Sequence, residues 1–178
     1  MAVDLVERIT NAPRLPYRGV CYRQQAPAYD PLSGEGAKIH GGRFNPPDSF
    51  AVLYLCSTAG CAAAEFMRTT HRHPLGPAAF LPRVLYRYDV QLTAVLDLTD
   101  PRTLEHLRLE AQALVDADVT LPRHIGEIAH QFGYQAVRNP SATGVDDVVA
   151  VLVENLRTGV LTPSLEATWN SLDDVPRS

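Results

Sequence analysis

"PLSGEGAKIHGGRFNPP", residues 31–47, runs directly into an apolar stretch, "AVLYLC", at residues 51–56. The seventeen residues hold Gly34, Gly36, Gly41 and Gly42, one lysine (Lys38), one arginine (Arg43) and a proline pair. A loop that only joins two strands has no need of so much backbone freedom. A loop that wraps a charged ligand does, because glycine admits positive φ and lets peptide N–H groups approach an anion. The segment does not match G-x-x-x-x-G-K-[ST], and it precedes a strand where a phosphate loop opens a helix, so it is neither a Walker loop nor a Rossmann fingerprint. A flexible surface loop is the plain alternative that composition leaves open.

The flanks of this loop set the fold class. Upstream, residues 1–16 read as a short helix and a proline-containing entry, and "YRGVCYRQQ" (17–25) as a strand. Downstream, "FAVLYLC" (50–56) is a buried strand. "STAGCAAAEFMRTTH" (57–71) is a helix of small residues that Ser57 or Thr58 can cap. "RVLYRYDVQ" (83–91) alternates like a strand and "AVLDL" (94–98) reads as another. "DPRTLEHLRLEAQALV" (100–115) has a helix-start pattern, and "TLPRHIGEIAHQFG" (120–133) is a helix closed by Gly133. "YQAVRN" (134–139) and "VVAVLVEN" (148–155) are strands around the loop "PSATGVDD", and the tail with Trp169 adds an edge strand. Adjacent strands with interspersed helices favour an α+β domain over a doubly wound parallel sheet. A length of 178 residues suits a single domain over 1–178.

A formal net charge of −4 argues against general nucleic-acid or anionic-membrane binding. Any phosphate site must therefore come from a local basic cluster. Arginine supplies all the basic residues except Lys38, and its planar fork suits phosphate oxygens. Cys21, Cys56 and Cys61 lack C-x-x-C spacing and read as reduced core thiols. The acidic N-terminus does not read as a signal peptide and no apolar run is long enough to span a bilayer, so a cytoplasmic location is expected.

Glu65 is the most informative candidate. It follows "CAAA", and if that small face packs on a sheet the carboxylate enters a partly dry region, where an unpaired charge is costly. Arg23, at a strand end, and Arg43 are the candidate cationic partners. Ser141 lies in the loop "NPSATG". His71 and His73 diverge at a helix end with no third ligand nearby, so no metal site is assigned.

The ordered set "YR" (22–23), "SGEGAKIHGGRFNPP" (33–47), "VLYLCST…AAAE" (52–65) and "VRNPSA" (137–142) resembles the RES domain family, over about residues 17–160. The resemblance implies a fold like that of ADP-ribosyltransferases, with a central β-structure flanked by helices and a cleft for NAD as substrate. It implies a toxin of a type II toxin–antitoxin pair whose antitoxin carries an Xre-type helix-turn-helix. It also implies cleavage of the nicotinamide–ribose bond with water or inorganic phosphate as acceptor, without a bound prosthetic group. Carried over residue by residue, the family residues fall on Arg23, Arg43, Tyr54, Glu65 and Ser141. Glu65, Arg23 and Tyr54 are expected in catalysis. Arg23, Arg43, Tyr54, Ser141, Lys38, Phe44 and Asn45 are expected to contact the dinucleotide. Phe44 stands where relatives often have Trp. Mono-ADP-ribosylation of a protein, and a catalytically silent nucleotide-binding protein, stay open as alternatives, as does association with itself or with the antitoxin.

Overall fold

The computed structural model describes residues 2–158 and 160–177. Helix α1 (Ala2–Thr10) is followed by strand β1 (Leu15–Gln25), helix α2 (Glu35–His40), strand β2 (Val52–Cys56), helix α3 (Ala59–His71) and strand β3 (Arg83–Asp97). Helices α4 (Pro101–Leu107) and α5 (Thr120–Gln131) precede strands β4 (Ala136–Pro140), β5 (Asp147–Leu152) and β6 (Leu161–Trp169). The expected α+β order holds, with four changes. The strand expected over 148–155 ends at Leu152, where a 3-10 turn over Val153–Asn155 takes over. The two strands expected at 83–91 and 94–98 are one, because Gln135 Oε1 accepts the N–H groups of Thr93 (2.7 Å) and Ala94 (3.3 Å) and carries the strand across its polar middle. The helix expected over 100–115 stops at Leu107, where Arg108 turns left-handed (φ 54°), and a 3-10 turn follows at Ala111–Leu114. Part of the long loop is itself helical, as α2.

The strands run β1-β2-β5-β4-β3-β6, and a further pairing of β1 with β3 closes the first five into a barrel-like ring with β6 on its outer flank. Only β3 and β4 pair in parallel. Closure removes the edges of the five ring strands. Side chains alternate across each strand. One set, including Cys21, Leu53, Leu55, Tyr88, Val149 and Val151, fills the interior. The other set meets helices outside. Phe44, Leu96, Val137 and Ala150 pack with Ile9, Leu107 and Ile125 of α1, α4 and α5. Cys56 and Leu85 pack with Cys61, Phe66 and Trp169 around α3.

Two local devices fix the start of α3 and the course of the glycine-rich loop. Thr58 caps α3, its hydroxyl accepting Cys61 N–H at 3.0 Å and donating to Asp146 at 2.6 Å. The same junction is tied to β5 by Ser57 N–H to Asp147 O (2.9 Å) and Asp147 N–H to Ser57 Oγ (3.1 Å). The glycine-rich loop, for its part, folds around Tyr54. The Tyr54 hydroxyl accepts Phe44 N–H and donates to Asn45 Oδ1, both at 2.8 Å, while Asn45 Nδ2 donates to Ala37 O at 2.7 Å. Of the four loop glycines only Gly41 takes a positive φ, 72°. Gly42 is needed because a Cβ there would overlap the Tyr54 ring, and α5 likewise presents Gly126 to the Phe44 carbonyl.

The Gly126 contact predicts that Gly126→Ala lowers stability by about 2–3 kcal/mol, since the methyl forces backbone to move. Gly60→Ala, in α3 where an added Cβ meets only an ordinary contact, Thr58 Oγ1 at 3.8 Å, raises stability by about 0.5–1 kcal/mol by removing unfolded-chain freedom. Urea unfolding midpoints of the two variants check the opposite signs.

Candidate active site

Glu65 projects from the middle of α3. The face behind it is Cys61, Ala62 and Ala63, all buried, so the helix sits close to the sheet and carries the carboxylate to the edge of the barrel. Its side chain is 23% exposed. Oε1 accepts the Ser141 hydroxyl at 2.7 Å, and Oε2 accepts Arg68 Nη2 at 2.9 Å and Nε at 3.2 Å. The cationic partner is thus Arg68, one helical turn on, and not Arg23 or Arg43 as the sequence led one to expect. The i,i+3 spacing of Glu65 and Arg68 is the sequence signal that points to the pair.

Ser141 is 3% exposed and opens the turn between β4 and β5. Its N–H donates to Asp146 O (2.9 Å) and its carbonyl accepts Gly144 N–H (3.0 Å), so the turn is closed on itself. Because the single Ser141 hydroxyl proton goes to Glu65, Thr143 supplies the proton between the two hydroxyls, 2.7 Å apart.

Glu65, Arg68, Arg43, Tyr54, Cys56 and Asn139 line one cavity of about 360 Å³, closed on another side by Gly36, Ala37, Gly41 and Gly42. That volume lies within the ordinary range of small-molecule sites, about 300–1,000 Å³. Arg43 Nη1 donates to the carbonyls of Leu114 (3.0 Å) and Asp116 (2.8 Å), past the end of α4. Its remaining donors have no protein acceptor among the described residues. Burial, and then the like charge of Arg68, lower the Arg43 guanidinium from its ordinary value, with Glu65 acting the other way, so the three charges sense one another.

The other expected residues divide. The Tyr54 ring lines the cavity, but its hydroxyl is spent on the loop, and burial raises the phenol above its ordinary range. Phe44 sits at the wall with its side chain in the apolar core. Asn45 is fully buried and serves the loop. Lys38 stands on α2, 3.9 Å from Glu35, and does not line the cavity. Arg23 does not reach the cavity either. Tyr22 pairs with Cys56 on the α3 side, and alternation turns Arg23 to the opposite face of β1, where Nη1 donates to Ser33 O at 3.3 Å.

Nothing in the sequence singles out Asn139. It is 2% exposed, lines the cavity, and its Oδ1 has no partner among the described residues. The neighbouring Cys61 thiol, and then burial, push the Cys56 thiol above its ordinary range, which disfavours a thiolate there. Among the described residues no group of three or more His, Cys, Asp or Glu side chains is placed to hold a metal ion.

The chain has relatives among known proteins. The NAD(+) phosphorylases MbcT of Mycobacterium tuberculosis and Mycobacterium bovis are 34% identical to the chain over 159 residues, which is 88% of this chain and 86% of theirs. The crystal structure of the M. tuberculosis MbcT-MbcA toxin-antitoxin complex contains a chain that superposes with a TM-score of 0.80 at 32% identity, covering 93% of this chain and 90% of that one. The RES domain model matches residues 16–170, from the first strand to the end of the last, and the chain belongs to the RES domain family.

Proposed function

We propose that this chain is an NAD-degrading toxin of a type II toxin–antitoxin pair, which cleaves the nicotinamide–ribose bond and passes the ADP-ribosyl group to inorganic phosphate. The observation that carries the reading is the Glu65 carboxylate, oriented by Ser141 and Arg68 at the wall of a cavity that also holds Arg43. Its support from outside is the likeness to chains named NAD(+) phosphorylase. The whole chain is read as one RES domain, and its closed mixed sheet as kin to the ADP-ribosyltransferases, which act on the same substrate class.

The chemistry asks little of the protein beyond charge placement. As the glycosidic bond breaks, its electron pair goes to the pyridinium nitrogen, which becomes neutral, and positive charge develops on the ribose. The carboxylate of Glu65 faces that charge and accepts a ribose hydroxyl, as in glycoside cleavage. A phosphate oxygen forms the new bond to the same carbon, giving nicotinamide and ADP-ribose 1″-phosphate. Arg43 offers its free donors to the pyrophosphate, the Tyr54 ring supplies a flat apolar wall, and Asn139 Oδ1 waits for a donor on the ligand. Ser141 acts through Glu65 and is a positioning residue. No catalytic role is proposed for Arg23. The partner is an antitoxin of the Xre helix-turn-helix class, and the cytoplasm the compartment where the pair acts. No described helix is long and apolar enough to cross a membrane.

Mass spectrometry of products formed from NAD by the purified chain, with and without phosphate, tests the reading. ADP-ribose 1″-phosphate supports it, labelled protein from a lysate points to transfer, and persistence of intact NAD refutes it.

Glu65→Gln keeps the fold and lowers the rate of NAD loss by about 10²–10³-fold, the scale of losing one preorganised electrostatic group. A folded variant of undiminished rate removes Glu65 from catalysis. Ser141→Ala lowers kcat by about tenfold while the KM for NAD changes less than threefold, and costs about 1 kcal/mol of stability. A change in KM alone would make Ser141 a ligand contact and not a positioning residue.

A further inference from the structure

A second hollow of about 370 Å³ opens beside the first and shares Gly42, Arg43, Arg68 and Ala142 with it. Its wall carries four arginines, Arg43, Arg68, Arg72 and Arg123, and no carboxylate. They come from the glycine-rich loop, from the last turn of α3 and the residue just past its end, and from the first turn of α5, so no single stretch of sequence reveals the cluster. Only Arg68 has a carboxylate partner among the described residues, Glu65. Arg123 is held by its Nε donating to Gly42 O at 3.0 Å, which leaves both terminal nitrogens without a protein acceptor. Arg72 makes no side-chain hydrogen bond or ion pair among the described residues. The nearby carboxylates are turned to other work. Asp116 accepts Gln112 Nε2 at 2.7 Å and Asp118 accepts Thr120 N–H at 2.9 Å, and neither lines the hollow.

Four guanidinium groups around one space repel one another, and a protein of net charge −4 has acids to spare for neutralising them. The arrangement is stable with a multiply charged oxyanion in the middle, because each fork offers paired N–H donors to neighbouring oxygens. We infer that this arginine hollow seats the inorganic phosphate that accepts the ADP-ribosyl group, with Arg72 and Arg123 as its principal ligands and Arg43 and Arg68 shared with the dinucleotide side. The inference rests on the proposed phosphorolysis and gives the acceptor its place. The shared lining residues put this hollow directly beside the cavity that Glu65 lines. The dianion brings its own electron pair to the ribose carbon, so no general base is needed to activate it. The same chemistry would serve the pyrophosphate of the dinucleotide, and the test separates the two sources.

Binding of inorganic phosphate to the intact chain is measured by titration calorimetry without NAD, at constant ionic strength. The KM values for phosphate and for NAD are then measured separately. Arg72→Ala is the clean variant, since Arg72 bonds to no described protein group. Arg123→Ala also frees Gly42 O, so circular dichroism accompanies it. Each is expected to weaken phosphate binding, and to raise the KM for phosphate, by about tenfold or more, the scale of one charge-assisted contact. The KM for NAD is expected to move less than threefold. Arg72→Lys, which keeps the charge and loses the fork, falls between. Phosphate binding unaltered in both alanine variants overturns the site. A rise confined to the KM for NAD assigns the hollow to the pyrophosphate and overturns the acceptor role. Because calorimetry needs no turnover, an inactive wild-type chain would refute the proposed reaction while leaving this site separately decided.

Discussion

The Tyr54 hydroxyl is the contact on which the rest of the site depends. It joins a barrel strand to two consecutive residues of the glycine-rich loop, through one accepted and one donated hydrogen bond. Both loop partners are buried, so losing the hydroxyl would leave two unsatisfied polar groups, each costing about 1–3 kcal/mol. With Phe44 and Asn45 held, the Arg43 side chain has a fixed origin. Its outward reach is then fixed by the carbonyls of Leu114 and Asp116. Gly42 lies against the Tyr54 ring and Gly126 against the Phe44 carbonyl, so the loop is packed closely on both sides. One wall of the cavity is therefore held by directional hydrogen bonds of the Tyr54, Asn45 and Arg43 side chains, which fix position where apolar packing allows sliding.

The opposite wall is set by a chain of charges that starts inside the barrel. Arg138 bonds Asp147 at 2.6 Å and Asp97 at 3.2 Å and lies over the Tyr17 ring. A pair of this kind yields little net stability once desolvation is counted, and its effect is on geometry. It fastens β4 to the ends of β3 and β5, and Asp147 in turn fastens the start of α3 through Ser57. Ser141 and Glu65, 76 positions apart in the chain, meet because the turn and the helix start from the same anchored strand ends.

Much of the fold is legible in sequence because period and punctuation agree over most segments. The strands at 17–25, 50–56 and 134–139 and the capped helix after Thr58 lie where alternation and capping chemistry put them. The departures lie where local pattern does not decide. β3 continues through Thr93 because Gln135, 42 positions away, serves its polar middle, and α4 ends at Leu107 because Arg108 turns left-handed, which the segment's helix-like pattern does not mark. The site divides the same way. Glu65, Arg43 and Ser141 are legible through a family pattern, and that pattern points Tyr54 at the ligand although its hydroxyl belongs to the loop. A strand-end arginine such as Arg23 can face either side of its strand, and only the pairing of Tyr22 with Cys56 settles that it faces away from the cleft. Asn139, Arg72 and Arg123 carry no local signal, since convergence in space is their only distinguishing feature.

The charge arithmetic of the two hollows matches the polarity of a pyridine dinucleotide. Glu65 is the one acid among the residues lining either hollow, and it stands with four arginines. Were it fully neutralised by Arg68 it would have nothing to offer a developing cation. It is not, because a carboxylate has about four lone-pair directions. Arg68 fills Oε2 with two N–H groups, while the neutral Ser141 hydroxyl takes only one direction of Oε1, so acceptor capacity remains on Oε1. Substituting a second cation for Ser141 would orient the carboxylate equally well and cancel its charge. A hydroxyl at that position orients without cancelling, which is the physical reason a serine suits the partner of a carboxylate proposed to face positive charge.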